Sequence, residues 1–149
     1  MNMTDTQNRT IFGAFEHVSF PDLNIKDVVA KVDTGADSGA VHCSTIELAK
    51  RDDGTEVLRY VPLHNQNKLI ETTAFSKAHV RGSTGHRVPR YLIETSVVIA
   101  GKQYSIRIGL SDRSDLQTNV LIGRRFLSQN NILVDVTLNQ DLTKEGDKA

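Results

Sequence analysis

The sequence is poor in cysteine, in long apolar runs and in net charge, and each shortage excludes a class of protein. Cys43 is the only cysteine among the 149 residues, so no disulfide can form within the chain. No apolar run approaches the roughly 20 residues that a membrane-spanning helix needs. Lys plus Arg and Asp plus Glu both number 18, so bulk charge gives no reason to expect nucleic-acid binding. We expect a cytoplasmic protein with neither a membrane nor a nucleic-acid partner.

Sequence motifs for metals and nucleotides are also missing. The chain has no His-Glu-x-x-His and no Cys-x-x-Cys. His42 and Cys43 are adjacent, so in a strand their side chains point to opposite faces and cannot share one metal unaided. Residues 82–86 lack the Gly-Lys-Ser/Thr ending of a phosphate-binding loop. We expect no metal and no cofactor. A nucleophilic role for Cys43 is an alternative to the buried, unreactive thiol that we expect there.

The length fits one domain that can bury a core. Polar ends predict a flexible segment over residues 1–10 and a flexible tail over 143–149, which leaves 11–142 as the domain. Short runs of strand-forming residues dominate that domain, and a helical turn or two is predicted over 124–129. The predicted strands cover 11–15, 17–20, 28–32, 56–63, 91–99, 103–110, 119–122 and 132–138. This pattern predicts an all-β fold, a closed barrel with one short helix near the C-terminus.

The most informative residues are Asp33, Thr34 and Gly35, which follow the apolar run 28–32. Glycine permits the turn that lifts an Asp side chain out of a strand, and the Thr hydroxyl can bond across a symmetric contact. Two such carboxylates held about one hydrogen bond apart cannot both ionise easily, so one keeps a proton. The chain has one Asp-Thr-Gly, so the second would come from another copy. Taken alone, such a tripeptide is more often an ordinary turn.

Its context resembles one known family. Residues 30–37 (Ala-Lys-Val-Asp-Thr-Gly-Ala-Asp) and 120–124 (Val-Leu-Ile-Gly-Arg) look like the two hallmark segments of retropepsin-like aspartic proteases. The chain is similar over most of its length to the bacterial, RimK-associated branch historically labelled ATP-dependent zinc protease. The further matching pieces are Lys31, His42, the segment 83–89 and the segment 110–114.

The resemblance implies a homodimer in which each chain supplies one catalytic Asp33, with Thr34 and Gly35 shaping the turn. It also implies that Asp37 and Arg124 form a charged pair that braces this turn. The chemistry agrees, because an Arg side chain can hold a carboxylate with two hydrogen bonds. Two unrelated surface charges are the alternative. The interval between the two hallmark segments is longer than in viral proteases, which predicts an added excursion within 43–75.

A basic, glycine-containing segment follows, and the resemblance implies that it is the flap over the cleft. Its candidate substrate-binding residues are Arg81, Gly82, Ser83, Gly85 and Arg87. Glycines suit a tip that moves, whereas a solvated hairpin is the plainer interpretation of such charges. Because the whole chain is neutral, we interpret the local positive excess as a preference for acidic substrates.

The sequence therefore predicts a homodimeric aspartic peptidase that acts on peptides or proteins. RimK-type ligases add glutamates to proteins, so a glutamate-tailed substrate fits both the basic flap and the family's association. The alternative is a non-catalytic module on the same fold that binds an acidic peptide or a protein partner, since a fold does not establish activity.

Overall fold

A computed structural model describes residues 9–64, 67–81, 87–112 and 118–142. These residues form eleven strands and one short α-helix, so the predicted all-β class with one helix near the C-terminus is confirmed. The strands are β1 (Thr10–Phe12), β2 (Phe15–Phe20), β3 (Ile25–Val32), β4 (Ala40–Lys50), β5 (Glu56–Pro62), β6 (Ile70–Thr72), β7 (Phe75–Arg81), β8 (Arg87–Ile99), β9 (Lys102–Ser111), β10 (Val120–Ile122) and β11 (Ile132–Val134). The helix is α1 (Arg124–Gln129), and a 3-10 turn covers Pro21–Leu23. The flexible segments predicted for 1–10 and 143–149 fall mainly outside the described residues.

Six of the strands close into a barrel, as the sequence predicts. Their order is β10-β3-β2-β8-β9-β4, and β4 pairs back to β10. Strand β10 closes the ring because it pairs in parallel with β3 and antiparallel with β4, so Val120 lies opposite both Ala30 and Val41. Closure leaves each of these strands hydrogen-bonded on both sides over part of its length, which removes the open edges of a flat sheet.

Alternating side chains fill the barrel interior. Val18, Val97, Ile108 and Ile122 are fully or almost fully buried, and burying a side chain of this size stabilises the fold by roughly 1.5–3 kcal/mol. At one end of the barrel, aromatic rings meet edge to face. The Tyr104 ring lies 6.4 Å from that of Phe12 and 5.2 Å from that of Phe126. These contacts attach β1 and α1 to the barrel.

The excursion expected within 43–75 is a three-stranded extension of the barrel. Strand β4 leaves the barrel and pairs along its second half with β5, which in turn pairs with β6. Strand β7 pairs with the first half of β8 and so forms a long hairpin. The sequence did not predict β4 or β6. Strand β4 changes partners along its length, so its burial pattern does not show one continuous alternation.

The two ends of the described chain meet in a small parallel sheet of their own. Strand β1 pairs with β11, with Thr10 opposite Ile132. The chain after β11 stays against the same region, because the Ala14 N–H donates to the Leu138 carbonyl at 2.8 Å. We call this unit, β1 with β11 and the residues up to Leu138, the terminal sheet. Within the described ranges, no helix combines the length and the apolar character needed to cross a membrane.

Candidate active site

The Asp33 turn directly continues strand β3. The Asp33 N–H donates to the Ile122 carbonyl at 2.8 Å, so pairing between β3 and β10 persists up to the turn. The chain then reverses, with the Ala36 N–H bonded to the Asp33 carbonyl at 3.1 Å. The Gly35 N–H donates to Asp33 Oδ1 at 3.0 Å and orients the carboxylate. Asp33 is half-buried, whereas Thr34 and Gly35 are exposed. The result is an oriented carboxylate that solvent or a ligand can reach.

Gly123 lets the start of α1 pack directly under this turn. The Arg124 N–H donates to the Ala36 carbonyl at 2.8 Å, and the Arg125 N–H donates to the Asp37 carbonyl at 3.1 Å. A Cβ on Gly123 would lie 2.5 Å from the Gly39 nitrogen and 2.7 Å from the Asp37 oxygen. The φ angle of Gly123 is −93°, which any residue can adopt. Glycine is therefore needed for space and not for its backbone torsion.

Asp37 contacts two arginines, of which the sequence predicted one. Asp37 Oδ1 lies 3.4 Å from the Arg124 guanidinium and 2.9 Å from Arg125 Nε. Arg124 also donates to the Gly35 carbonyl at 3.1 Å, so it binds the Asp33 turn itself. The hydrogen bond from Arg125, followed by the charges of both arginines, lowers the pKa of Asp37. These side chains are largely exposed, so the pairs order the loop more than they stabilise the fold.

Asp37 also begins a second tripeptide of related form, Asp37-Ser38-Gly39, which overlaps the first motif. Its carboxylate is occupied by Arg124 and Arg125. A carboxylate held by two guanidinium groups is a weak base and stays ionised. Asp37 is therefore not available as an acid–base partner for Asp33.

The paired strands β7 and β8 flank the predicted flap segment. The backbones of Arg81 and Arg87 face each other on the last described rung, and His79 faces Pro89. Gly82, Ser83 and Gly85, together with the side chains of Arg81 and Arg87, lie outside the described residues. Their role in substrate binding remains a prediction.

Cys43 and His42 lie side by side on β4 but in different surroundings. Cys43 is fully buried, and burial, aided by the nearby Asp112 charge, raises the pKa of its thiol to about 12. A thiol with this pKa is almost entirely protonated at neutral pH and is a poor nucleophile. His42 has its Nδ1 atom buried without a hydrogen-bond partner among the described residues. Among all the residues that the structure describes, no three His, Cys, Asp or Glu side chains lie together as possible metal ligands.

A closed six-stranded barrel that presents one Asp-Thr-Gly turn, tied to a following Gly-Arg element, defines a retropepsin-like protein. Comparison with protein families identifies the branch. The model of the RimB-like family, described as "Retropepsin-like aspartic endopeptidase RimB", matches residues 11–145. The chain belongs to this family.

Curated relatives and a solved structure resemble the chain more distantly. A protein of Shewanella pealeana named "Probable alpha-L-glutamate ligase" is 28% identical over 146 residues, which is 95% of this chain and 32% of that protein. A protein of the same name from Desulfotalea psychrophila is 27% identical over 135 residues, which is 87% of this chain and 29% of that protein. The chain thus spans about a third of the length of these relatives.

The solved structure is that of a Legionella pneumophila protein of unknown function. Its match to this chain has a TM-score of 0.68 and a sequence identity of 24%. The match covers 87% of this chain and 95% of the Legionella chain. This likeness shows the fold alone.

Proposed function

We propose that this chain is the subunit of a homodimeric aspartic peptidase in which each copy contributes one Asp33. The observation that carries the proposal is the oriented, accessible carboxylate on a turn of the retropepsin type, with the next acidic residue, Asp37, engaged by arginines. One carboxylate cannot serve as both acid and base in the same step. A second copy related by a two-fold axis would place an identical carboxylate opposite the first.

In the assembled pair the two carboxyl groups share one proton. The ionised Asp33 takes a proton from a water molecule as that water attacks the peptide carbonyl carbon. The protonated Asp33 of the second copy donates a hydrogen bond to the carbonyl oxygen, on which negative charge develops. Thr34 and Gly35 hold the turn, and Arg124 fixes it from below through the Gly35 carbonyl.

The terminal sheet supports the dimer because it carries exposed apolar side chains and is linked by backbone hydrogen bonds to the strand that leads into Asp33. Ile11, Val136 and Leu138 are 51%, 65% and 44% exposed. Two hydrogen bonds connect this sheet to the turn, since Ala14 accepts from the Val32 N–H at 3.0 Å and donates to the Leu138 carbonyl. Val32 directly precedes Asp33. Burial of these side chains against a second copy would remove an apolar patch from water and bring two Asp33 turns together.

The proposed substrates are acidic peptides or glutamate-tailed proteins. The relatives that contain a segment similar to this chain are named as probable glutamate ligases. In those proteins the similar segment is about a third of a longer chain that carries this name. The predicted flap residues Arg81 and Arg87 add positive charge to this part of the sequence. Replacing both with serine is expected to weaken the binding of acidic peptides more than the binding of neutral ones. A cytoplasmic location belongs to this proposal, because an unpaired Cys43 suits a reducing compartment.

The first experiment measures cleavage of a glutamate-rich peptide at mildly acidic pH by the wild type, by Asp33→Asn and by Asp52→Asn. Asp52 is an exposed carboxylate in the β4–β5 turn and serves as the matched control. Asp33→Asn abolishes cleavage, and Asp52→Asn retains it. In mixtures of the wild type and Asp33→Asn, activity falls more steeply than the wild-type fraction, because each working site needs two Asp33 residues. A fall in proportion to that fraction contradicts a shared site.

The second experiment tests the assembly surface by sedimentation velocity. Val136→Asp together with Leu138→Asp is expected to yield monomers. Leu69→Asp, at a 55% exposed leucine outside the terminal sheet, leaves the dimer intact. Equal dissociation of both variants removes the support that the terminal sheet lends to the dimer. A wild type that binds acidic peptides as a monomer without cutting them favours the non-catalytic binding module.

A further inference from the structure

Lys31 lies on the same face of the barrel wall as Asp33. Its neighbours Ala30 and Val32 are 0% and 7% exposed and point into the core, whereas Lys31 is half-buried on the opposite face. The Asp33 N–H donates to the Ile122 carbonyl, so the strand pairing continues as far as Asp33. The alternation of inward and outward side chains then places Asp33 on the same face as Lys31. Two residues of strand separate Lys31 from Asp33, which is about 6.6 Å along the chain.

Apolar side chains lie on both sides of Lys31. The register places Phe15 opposite it on β2 and Leu121 opposite it on β10, and both are half-buried. A lysine in such a row rests its methylene chain on apolar neighbours and extends its ammonium group beyond them. Phe15, Lys31 and Leu121 thus form a short row on the outer face, which we call the Lys31 row.

The Lys31 ammonium group has no internal countercharge in the described part of the chain, where the ion pairs use other residues. The two arginines beside the turn differ in this respect, since both Arg124 and Arg125 are bound to Asp37. A half-buried cation with no countercharge is poised to bind an anionic group from a ligand.

The backbone of Lys31 is held in place from the side of β10. Its N–H donates to the Thr118 hydroxyl at 3.3 Å, and that hydroxyl donates to the Val120 carbonyl at 2.7 Å. Thr118 is only 9% exposed. The position of the Lys31 Cα relative to Asp33 is therefore set by the fold, which is what a selective binding site requires.

We propose that Lys31 is a specificity-determining residue that binds the acidic side chain of a peptide residue next to the cleaved bond. The inference rests on the proposed function. An extended peptide over Asp33 places a neighbouring side chain within reach of a lysine one strand repeat away. The two-fold axis adds the Lys31 of the second copy on the other side. The preferred bond then lies between two consecutive acidic residues.

The test uses peptides of equal length whose central pair is Glu-Glu, Glu-Leu, Leu-Glu, Leu-Leu or Lys-Lys, with the remaining residues unchanged. The wild type, Lys31→Met, Lys31→Glu and the control Lys26→Met are compared by kcat/KM and by peptide anisotropy. Lys26 is exposed near the start of the same strand. Each Glu lost from the pair lowers kcat/KM of the wild type by about tenfold, the factor for one charge-assisted contact.

Lys31→Met removes this discrimination while Lys26→Met keeps it. Lys31→Glu reverses it and prefers Lys-Lys at the centre, a result that a merely structural role for Lys31 would not produce. Cleavage that depends on Asp33 but shows the same preference in every Lys31 variant overturns this inference and leaves the peptidase intact. If no peptide is cut, the peptidase proposal fails. Binding of the Glu-Glu peptide that weakens in Lys31→Met but not in Lys26→Met then still supports the Lys31 site, and equal binding overturns it.

Discussion

Replacing Gly123 by alanine tests how the start of α1 supports the Asp33 turn. The added Cβ would lie 2.5 Å from the Gly39 nitrogen, 2.7 Å from the Asp37 oxygen and 2.9 Å from the Ala36 oxygen. All three are backbone atoms, so no side chain can move aside and the turn itself must shift. Because the φ angle of Gly123 already suits alanine, the whole effect comes from this overlap.

The size of the effect follows from what the shift breaks. Overpacking of this kind costs about 1–3 kcal/mol. The bonds from Arg124 and Arg125 to the turn are lost or lengthened, at roughly 0.5–1.5 kcal/mol each. We expect the free energy of unfolding to fall by about 2–6 kcal/mol, which lowers Tm by roughly 5–20 °C for a chain of this size.

Thermal unfolding followed by circular dichroism measures this loss, with Gly54→Ala as the matched control. Gly54 has a φ of +88° and no atom within 4 Å of an added Cβ. Alanine at this position has a strained backbone φ angle but overlaps no other atom. It lowers the free energy of unfolding by roughly 1–2 kcal/mol. If Gly123→Ala melts like the wild type, or is milder than Gly54→Ala, the backbone around the turn is not tightly packed and the reasoning is wrong.

Three further predictions concern single residues elsewhere. The pKa of Asp37 is lowered in the folded state from the usual 3.8, so its stabilising contribution is present above that pH and is lost as the pH falls below it. The Tm difference between the wild type and Asp37→Asn should therefore vanish in acid, and a constant difference contradicts this. Cys43, with a pKa of about 12, should resist a thiol-labelling reagent at pH 8 until the protein unfolds. Phe12→Ala, at a fully buried site, should lower the free energy of unfolding by about 3–5 kcal/mol in urea titrations.

Local patterns in the sequence predicted the helix and every barrel strand except β4. The alternation over 103–108 matches β9, where Tyr104, Ile106 and Ile108 are buried. The helix runs over Arg124–Gln129, as predicted. In both places one side of the element meets the core along its whole length, so periodicity and burial agree.

Strand β4 was missed because the residues of its second half favour another structure and because its partners in the barrel, β9 and β10, lie far away in the sequence. Its end, Glu47 to Lys50, is rich in residues that favour helices. Pairing with β5 along this stretch overrides that preference. This pairing is a local hairpin, but the residues of its first strand did not indicate it.

Arg125 was missed for a related reason. The motif indicated Arg124, and nothing in the spacing distinguishes the next residue. Only the first turn of α1 brings both guanidinium groups to Asp37. The flap tip lies outside the described residues, so the prediction for Gly82, Ser83 and Gly85 remains as the sequence made it.

The terminal sheet has a consequence for the order of events during folding. Strands β1 and β11 come from opposite ends of the described chain and pair in parallel. Closing so large a loop is slow, because its entropy must be lost before the contact stabilises anything. The barrel can form from nearer contacts first, and the terminal sheet then follows. An apolar assembly surface built on that sheet would arise only in a finished subunit, so association would select chains that have already folded.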